Sequence, residues 1–163
     1  GKFAVVGNHE VFAGLRQAIE FTRSAGFTVL RGQSVALPNG ITITGIDDPV
    51  VSRVERSGQR TEKTLLEALP DGSFRLLLKH RPLISPGSDG LFDLQLSGHV
   101  HKGQLFPFNF LVKLTHPIPC GTTTTASGSQ LHVSRGTGTW GPPMRLFAPP
   151  EVTVIDVIPS NSH

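Results

Sequence analysis

Three short apolar runs, residues 3–6, 74–78 and 94–96, break off into polar turns that carry Asn or His. The first ends in Gly7-Asn8-His9-Glu10. The second runs into Lys79-His80-Arg81-Pro82. The third leads into Ser97-Gly98-His99-Val100-His101-Lys102-Gly103-Gln104. A run of three to six apolar residues bounded by turn signals reads as a buried strand. Strands that end this way belong in sheets with crossover helices, where the carboxyl ends of parallel strands line one crevice.

The segments between them fit that arrangement. Residues 13–25 read as a helix, with Leu15, Ala18, Ile19 and Thr22 on one face and Gly26 as the stop. Residues 28–30 read as a strand. Residues 35–37 and 41–46 flank Pro38-Asn39-Gly40, a hairpin signal. The alternation in Ile41-Thr42-Ile43-Thr44 predicts a strand with one half-exposed face. Residues 47–60 read as a polar loop. Residues 61–69 read as a helix with Leu65, Leu66 and Leu69 inward, closed by Pro70-Asp71-Gly72. Residues 130–134 and the alternating residues 151–158 read as strands, separated by a long Gly/Pro loop at 135–150. Residues 105–127, interrupted by prolines, give no clear periodicity. The order is mixed α/β. No internal repeat and no linker divides the chain, so one domain is expected.

Composition narrows the function. A chain of 163 residues is long enough to bury roughly 68–70% of its unfolded surface as a complete domain. Its single cysteine, Cys120, excludes an internal disulfide and a Cys-based zinc site. The formal charge of +3 is scattered; Arg53, Arg56, Arg60 and Lys63 make one loose cluster. No basic stripe with interleaved aromatics marks a nucleic-acid surface. No apolar run approaches the length of about 18 residues expected of a membrane span.

The chemistry sits at the strand ends. If the three strands run side by side, Asn8, His9, His80, His99 and His101 converge on one rim. Imidazole nitrogen suits Mn, Fe and Zn, and an amide oxygen suits harder cations. Each residue alone has a structural reading: His80 as a core histidine, Asn8 as a helix cap, Glu10 as a helix-start carboxylate. Three such endings in series favour a metal site. A bend at Gly98 and Gly103 would let His99 and His101 splay toward two different metals. His116, His132 and His163 have no such context and read as structural or exposed. Trp140 reads as a loop anchor or a stacking platform.

The motifs Gly7-Asn8-His9-Glu10, His80 after an apolar strand, and Gly98-His99-Val100-His101 with Lys102-Gly103-Gln104 resemble the calcineurin-like metallophosphoesterase superfamily. Residues 133–145 and Gly45-Ile46-Asp47-Asp48-Pro49 resemble one bacterial phosphodiesterase branch of it. The resemblance implies a layered β-sandwich flanked by helices and a dinuclear site for two divalent metals, Mn, Fe or Zn. By motif, Asn8, His80 and His99 match ligands of one metal and His101 a ligand of the other. His9 matches the catalytic histidine that meets phosphate. Attack would come from a metal-bridging hydroxide on a phosphomonoester or phosphodiester. Arg135 and Arg145, flanking the matched loop, are expected to bind substrate phosphate; Lys79, Arg81 and Lys102 read first as surface charges.

The superfamily's Asp-x-His and Gly-Asp-x-x-Asp motifs, which supply the bridging carboxylate, are not found in these 163 residues. The expected domain is therefore partial, lacking its N-terminal strands and exposing sheet edge in their place. A non-catalytic binding scaffold on the same fold, or an inactive fragment, stays open beside the enzyme. The resemblance also implies a parent protein associated with a membrane.

Overall fold

The structure is a computed structural model. It describes residues 1–55, 60–107, 112, 114, 118 and 120–159. His116 and His163, and Arg56 of the basic cluster, lie outside the described residues.

Two sheets organise the chain. The smaller pairs β1 (Phe3–Ala4) with β2 (Thr28–Val29) in parallel, joined by helix α1 (Asn8–Ser24). The larger has six strands in the order β3 (Gln33–Ala36), β4 (Ile41–Ile46), β5 (Phe74–Lys79), β6 (Leu94–Ser97), β8 (Gln130–Val133) and β7 (Gly121–Thr124). Strands β4, β5, β6 and β8 are mutually parallel, and β3 and β7 close the two edges antiparallel. The mixed α/β class expected from the sequence is the one observed. The three ligand-bearing strands are not in one sheet, however. β5 and β6 are neighbours, whereas β1 belongs to the second sheet.

The two sheets meet at Gly45. A Cβ placed there would lie 2.3 Å from Leu30 Cβ and 2.9 Å from Val5 Cγ1. This close approach covers the face of β4 that carries Ile43, and Thr42 and Thr44 on the opposite face are buried as well. The half-exposed face suggested by its alternation, that of Thr42 and Thr44, points the other way, where Thr44 lies beside Leu77 of β5. Val6, Ile19, Val29 and Val51 form the core on the side of the smaller sheet. On the other side Leu66, Leu77 and Phe92 cluster beneath helix α3 (Glu62–Glu67). Leu66 and Leu77 are fully buried, and each contributes about 2 kcal/mol by removal from water.

Several elements differ from the sequence reading. Helix α1 begins at Asn8, because Gly7 serves as its N-cap and Glu10 Oε2 accepts the Gly7 N–H at 2.8 Å. Gly14 (φ 101) breaks the helix internally. Residues 47–60 contain helix α2 (Pro49–Glu55), started by Asp48, whose Oδ1 accepts the Val50 N–H at 3.0 Å. Asp before Pro at the first helical position was the available signal. Residues 151–158 form no strand. Their alternation is genuine, but they pair with no described strand, and Val152 and Val154 stay exposed. β7 was hidden by the glycine and threonines that compose it.

Candidate metal centre

The site is assembled where chain segments from both sheets leave their strands. Asp48 holds them together. Its backbone N–H donates to Val6 O at 3.0 Å, which fastens the end of the first run. Its carboxylate accepts from Arg81 Nε at 2.7 Å and Arg81 Nη2 at 3.2 Å, which fastens the segment after β5. Farther along, Gly98 N–H donates to His80 O at 3.0 Å and ties the exit of β6 to that of β5. Asn8, His80 and His99 are thereby brought to one point.

There the three side chains touch. His80 Nε2 lies 2.8 Å from Asn8 Oδ1 and 2.9 Å from His99 Nδ1. The His80 and His99 rings meet edge-on, with centroids 4.8 Å apart. Gly7 is required beside them, since a Cβ there would fall 2.8 Å from His80 Nδ1. Burial lowers the His80 pKa below its ordinary value, despite the opposing charges of Asp48 and Glu10. The neutral imidazole, the ligating form, is therefore favoured.

The turn that carries His99 and His101 is strained. His99 (φ 70), His101 (φ 47), Lys102 (φ 53) and Gln104 (φ 49) are all left-handed. Gly103 shares that conformation, whereas Gly98 does not. The sequence reading placed the tight turning on the glycines, but most of it falls on side-chain-bearing residues. Such positions cost on the order of 1–3 kcal/mol each and cluster at functional sites. The consequence is that the two histidines diverge. His101 does not join the Asn8–His80–His99 contact; its Nδ1 lies 3.2 Å from Arg145 Nη2. Burial, then Arg145, lowers its pKa. His9 is exposed on the first turn of α1, and its charge is felt at both His80 and His101.

The arginines are differently occupied. Arg135 Nε is 2.5 Å from Glu151 Oε2. Arg145 donates to the carbonyls of Arg135, Gly136, Gly138 and Ala148 and so folds the 135–148 loop around itself beside His101. Lys79 is buried, its ammonium bonded to Glu62, Leu83 O and Ser85. Arg81 pairs with Asp48. These two are structural cations, not the surface charges expected. His132 bonds to Thr122 and Thr153 away from the site.

Among curated proteins, the chain is 40% identical over 158 residues to an uncharacterized metallophosphoesterase of Aquifex aeolicus, covering 96% of this chain and 60% of that protein. The chain belongs to the calcineurin-like metallophosphoesterase superfamily. A Helicobacter pylori uncharacterized metallophosphoesterase is 34% identical over 163 residues, covering 99% of this chain and 44% of that protein. A Danio rerio transmembrane protein with metallophosphoesterase domain is 31% identical over 169 residues, covering 95% and 38%. This chain thus spans about half the length of such relatives. No protein-family model and no solved structure matches it.

Metallophosphoesterases use divalent metals, and the donor set fits such an ion. His80 Nε2 carries one hydrogen or one lone pair, yet it faces two partners. As N–H it reaches both only through a bifurcated bond. As a bare nitrogen it accepts from His99 and repels Asn8 Oδ1. A shared cation satisfies all three lone pairs. Separations of 2.8 and 2.9 Å put the three donor atoms within reach of one cation, and an amide oxygen with two imidazole nitrogens is a donor set that divalent metals accept. Among the described residues no group of three or more His, Cys, Asp and Glu could hold a metal; this set has two histidines and an amide. Among the same residues no helix is long and apolar enough to cross a membrane.

Proposed function

We propose that this chain carries one side of the active centre of a metal-dependent phosphoesterase. Asn8, His80 and His99 would hold one divalent cation and His101 would belong to a second. When bound, such ions activate water and neutralise charge on the phosphoryl oxygens. Substrates are phosphomonoesters or phosphodiesters. The observation that carries this reading is the meeting of Asn8 Oδ1, His80 Nε2 and His99 Nδ1 within hydrogen-bond distance.

The chain's own residues do the rest. His9 stands exposed on the first turn of α1, where backbone N–H groups favour an anion. It donates a proton to the leaving oxygen. Arg145 adds a positive charge beside His101 and favours an approaching phosphate. Arg135, through its Glu151 pair, keeps that loop in shape. Membrane association of a longer parent protein belongs to the same reading; the name of the Danio rerio relative supports it.

The test is paired substitution in the full-length protein, followed by elemental analysis and hydrolysis of p-nitrophenyl and bis(p-nitrophenyl) phosphate. His80→Ala should lose metal and turnover together. His9→Ala should keep metal and lose turnover by about 10²–10⁴-fold. A protein that binds metal yet hydrolyses neither ester would instead be a binding scaffold.

A further inference from the structure

Beside the candidate centre lies a cavity of about 420 Å³, with His99 and His101 on its wall. Among the described residues its remaining lining is mainly apolar, including Val100, Leu105, Trp140 and Pro142. Val100 is a fixed floor, packed with Leu131 and Val133 of the sheet. Gln104, the polar residue of that wall, is committed elsewhere. Its Oε1 accepts the Trp140 N–H, and its Nε2 donates to Trp140 O at 2.6 Å and Pro142 O at 3.3 Å. The Gln104 amide therefore pins the 140–142 loop against the cavity.

The neighbourhood of this cavity is apolar as well. Phe106 follows Leu105 in the chain. Leu146 is bonded through its N–H to Gln104 O at 2.9 Å. Phe106 and Phe147 meet edge to face at 6.0 Å. Phe106, Trp140, Leu146 and Phe147 are all exposed, Phe147 in a left-handed conformation (φ 61) that costs energy. An apolar patch against a polar centre marks a binding site. A ligand matching both parts is anionic at one end and apolar at the other.

We propose that this cavity binds the alkyl chain of an amphiphilic phosphoester, with its phosphate toward His99 and His101 and its chain against Val100, Leu105, Trp140 and Pro142. The inference rests on the phosphoesterase reading for its phosphate end and names the substrate class of that same site.

Trp140 is the single tryptophan of the chain, so its emission reports on the cavity. The chain with Zn²⁺ would be titrated with methyl, butyl and hexyl phosphate, and with hexanol. The expected result is a blue shift with the longer esters and a Kd that falls roughly two- to fourfold per added methylene. Hexanol should bind at least tenfold more weakly than hexyl phosphate. Leu105→Ser should flatten the dependence on chain length. Equal Kd values for methyl and hexyl phosphate, or for hexanol and hexyl phosphate, would overturn the proposal. Hydrolysis separates it from the reading beneath it. Full-length protein that cleaves methyl and hexyl p-nitrophenyl phosphate with equal kcat/KM keeps the phosphoesterase and sinks the amphiphile. Chain-length-dependent binding with no cleavage of any ester does the reverse.

Discussion

His80 and His99 meet nitrogen to nitrogen, with His99 Nδ1 2.9 Å from His80 Nε2, although 18 residues separate them in the chain. Two imidazoles at this distance share either one proton or one cation. Asn8 Oδ1, 2.8 Å from the same Nε2, makes the proton an incomplete solution. Addition of Mn²⁺ to this chain is expected to broaden the NMR signals of Asn8, His80 and His99 first. His80→Ala should abolish that selective broadening. Uniform broadening, unchanged in the variant, would show that this trio is not the metal's place.

Gly7 tests how tightly His80 is held. A methyl group at this position would stand 2.8 Å from His80 Nδ1, too close for the ring to stay. Gly7→Ala is predicted to reduce metal affinity about 10–100-fold, the usual effect of disturbing a ligand's support. Far-UV circular dichroism should remain native, because Gly7 lies outside the sheet. Titration with Zn²⁺ against a competing chelator measures the loss; unchanged affinity refutes the placement of His80.

Asp48 links the site to stability against acid. Burial alone would raise its carboxyl pKa, but the Arg81 guanidinium and the Val50 N–H outweigh it and hold the pKa below its ordinary value. A carboxyl depressed in the folded state stabilises above its unfolded pKa of about 3.9. That contribution is lost as pH falls from there through the lower folded value. Asp48→Asn should cost about 2 kcal/mol at pH 7. It should also lose less stability than the parent protein between pH 5 and pH 3. Urea midpoints across that range would decide; parallel pH curves would contradict the role given to Asp48.

Lys102 carries strain without contributing to the Asn8–His80–His99 contact. At φ 53, glycine is the better residue. Lys102→Gly is expected to stabilise by about 1 kcal/mol, raising Tm by about 2–4 °C with esterase activity kept. A lower Tm would mean that the lysine's own contacts outweigh its backbone cost.

Much of this was legible along the chain. Strands β5, β6 and β8, helix α3 and the hairpin between β3 and β4 follow from local apolar runs and turn residues. The Asn and His endings marked the site, because strand ends are where sheets present side chains. Asp48 stands out in the sequence only as part of the Gly45-Ile46-Asp47-Asp48-Pro49 motif. Its work is done through Val6 and Arg81, 42 and 33 positions away, and no local pattern encodes such pairings. Residues 151–158 mark the opposite limit. Alternation predicts a strand, but a strand also needs a neighbour's hydrogen bonds, which lie outside the segment.

The sequence by itself determined most of the element types, the residues available as ligands and the membership in a metallophosphoesterase family, since these depend on local periodicity and residue chemistry. Tertiary structure decided that Asn8 reaches His80 from the helix that follows the smaller sheet's first strand, that His101 turns away toward Arg145, and that Gln104 closes an apolar wall beside them. Those outcomes depend on angstrom-scale distances between remote segments. They are fixed when Gly45 lets the two sheets close and Asp48 ties their ends, so packing, not periodicity, builds the site.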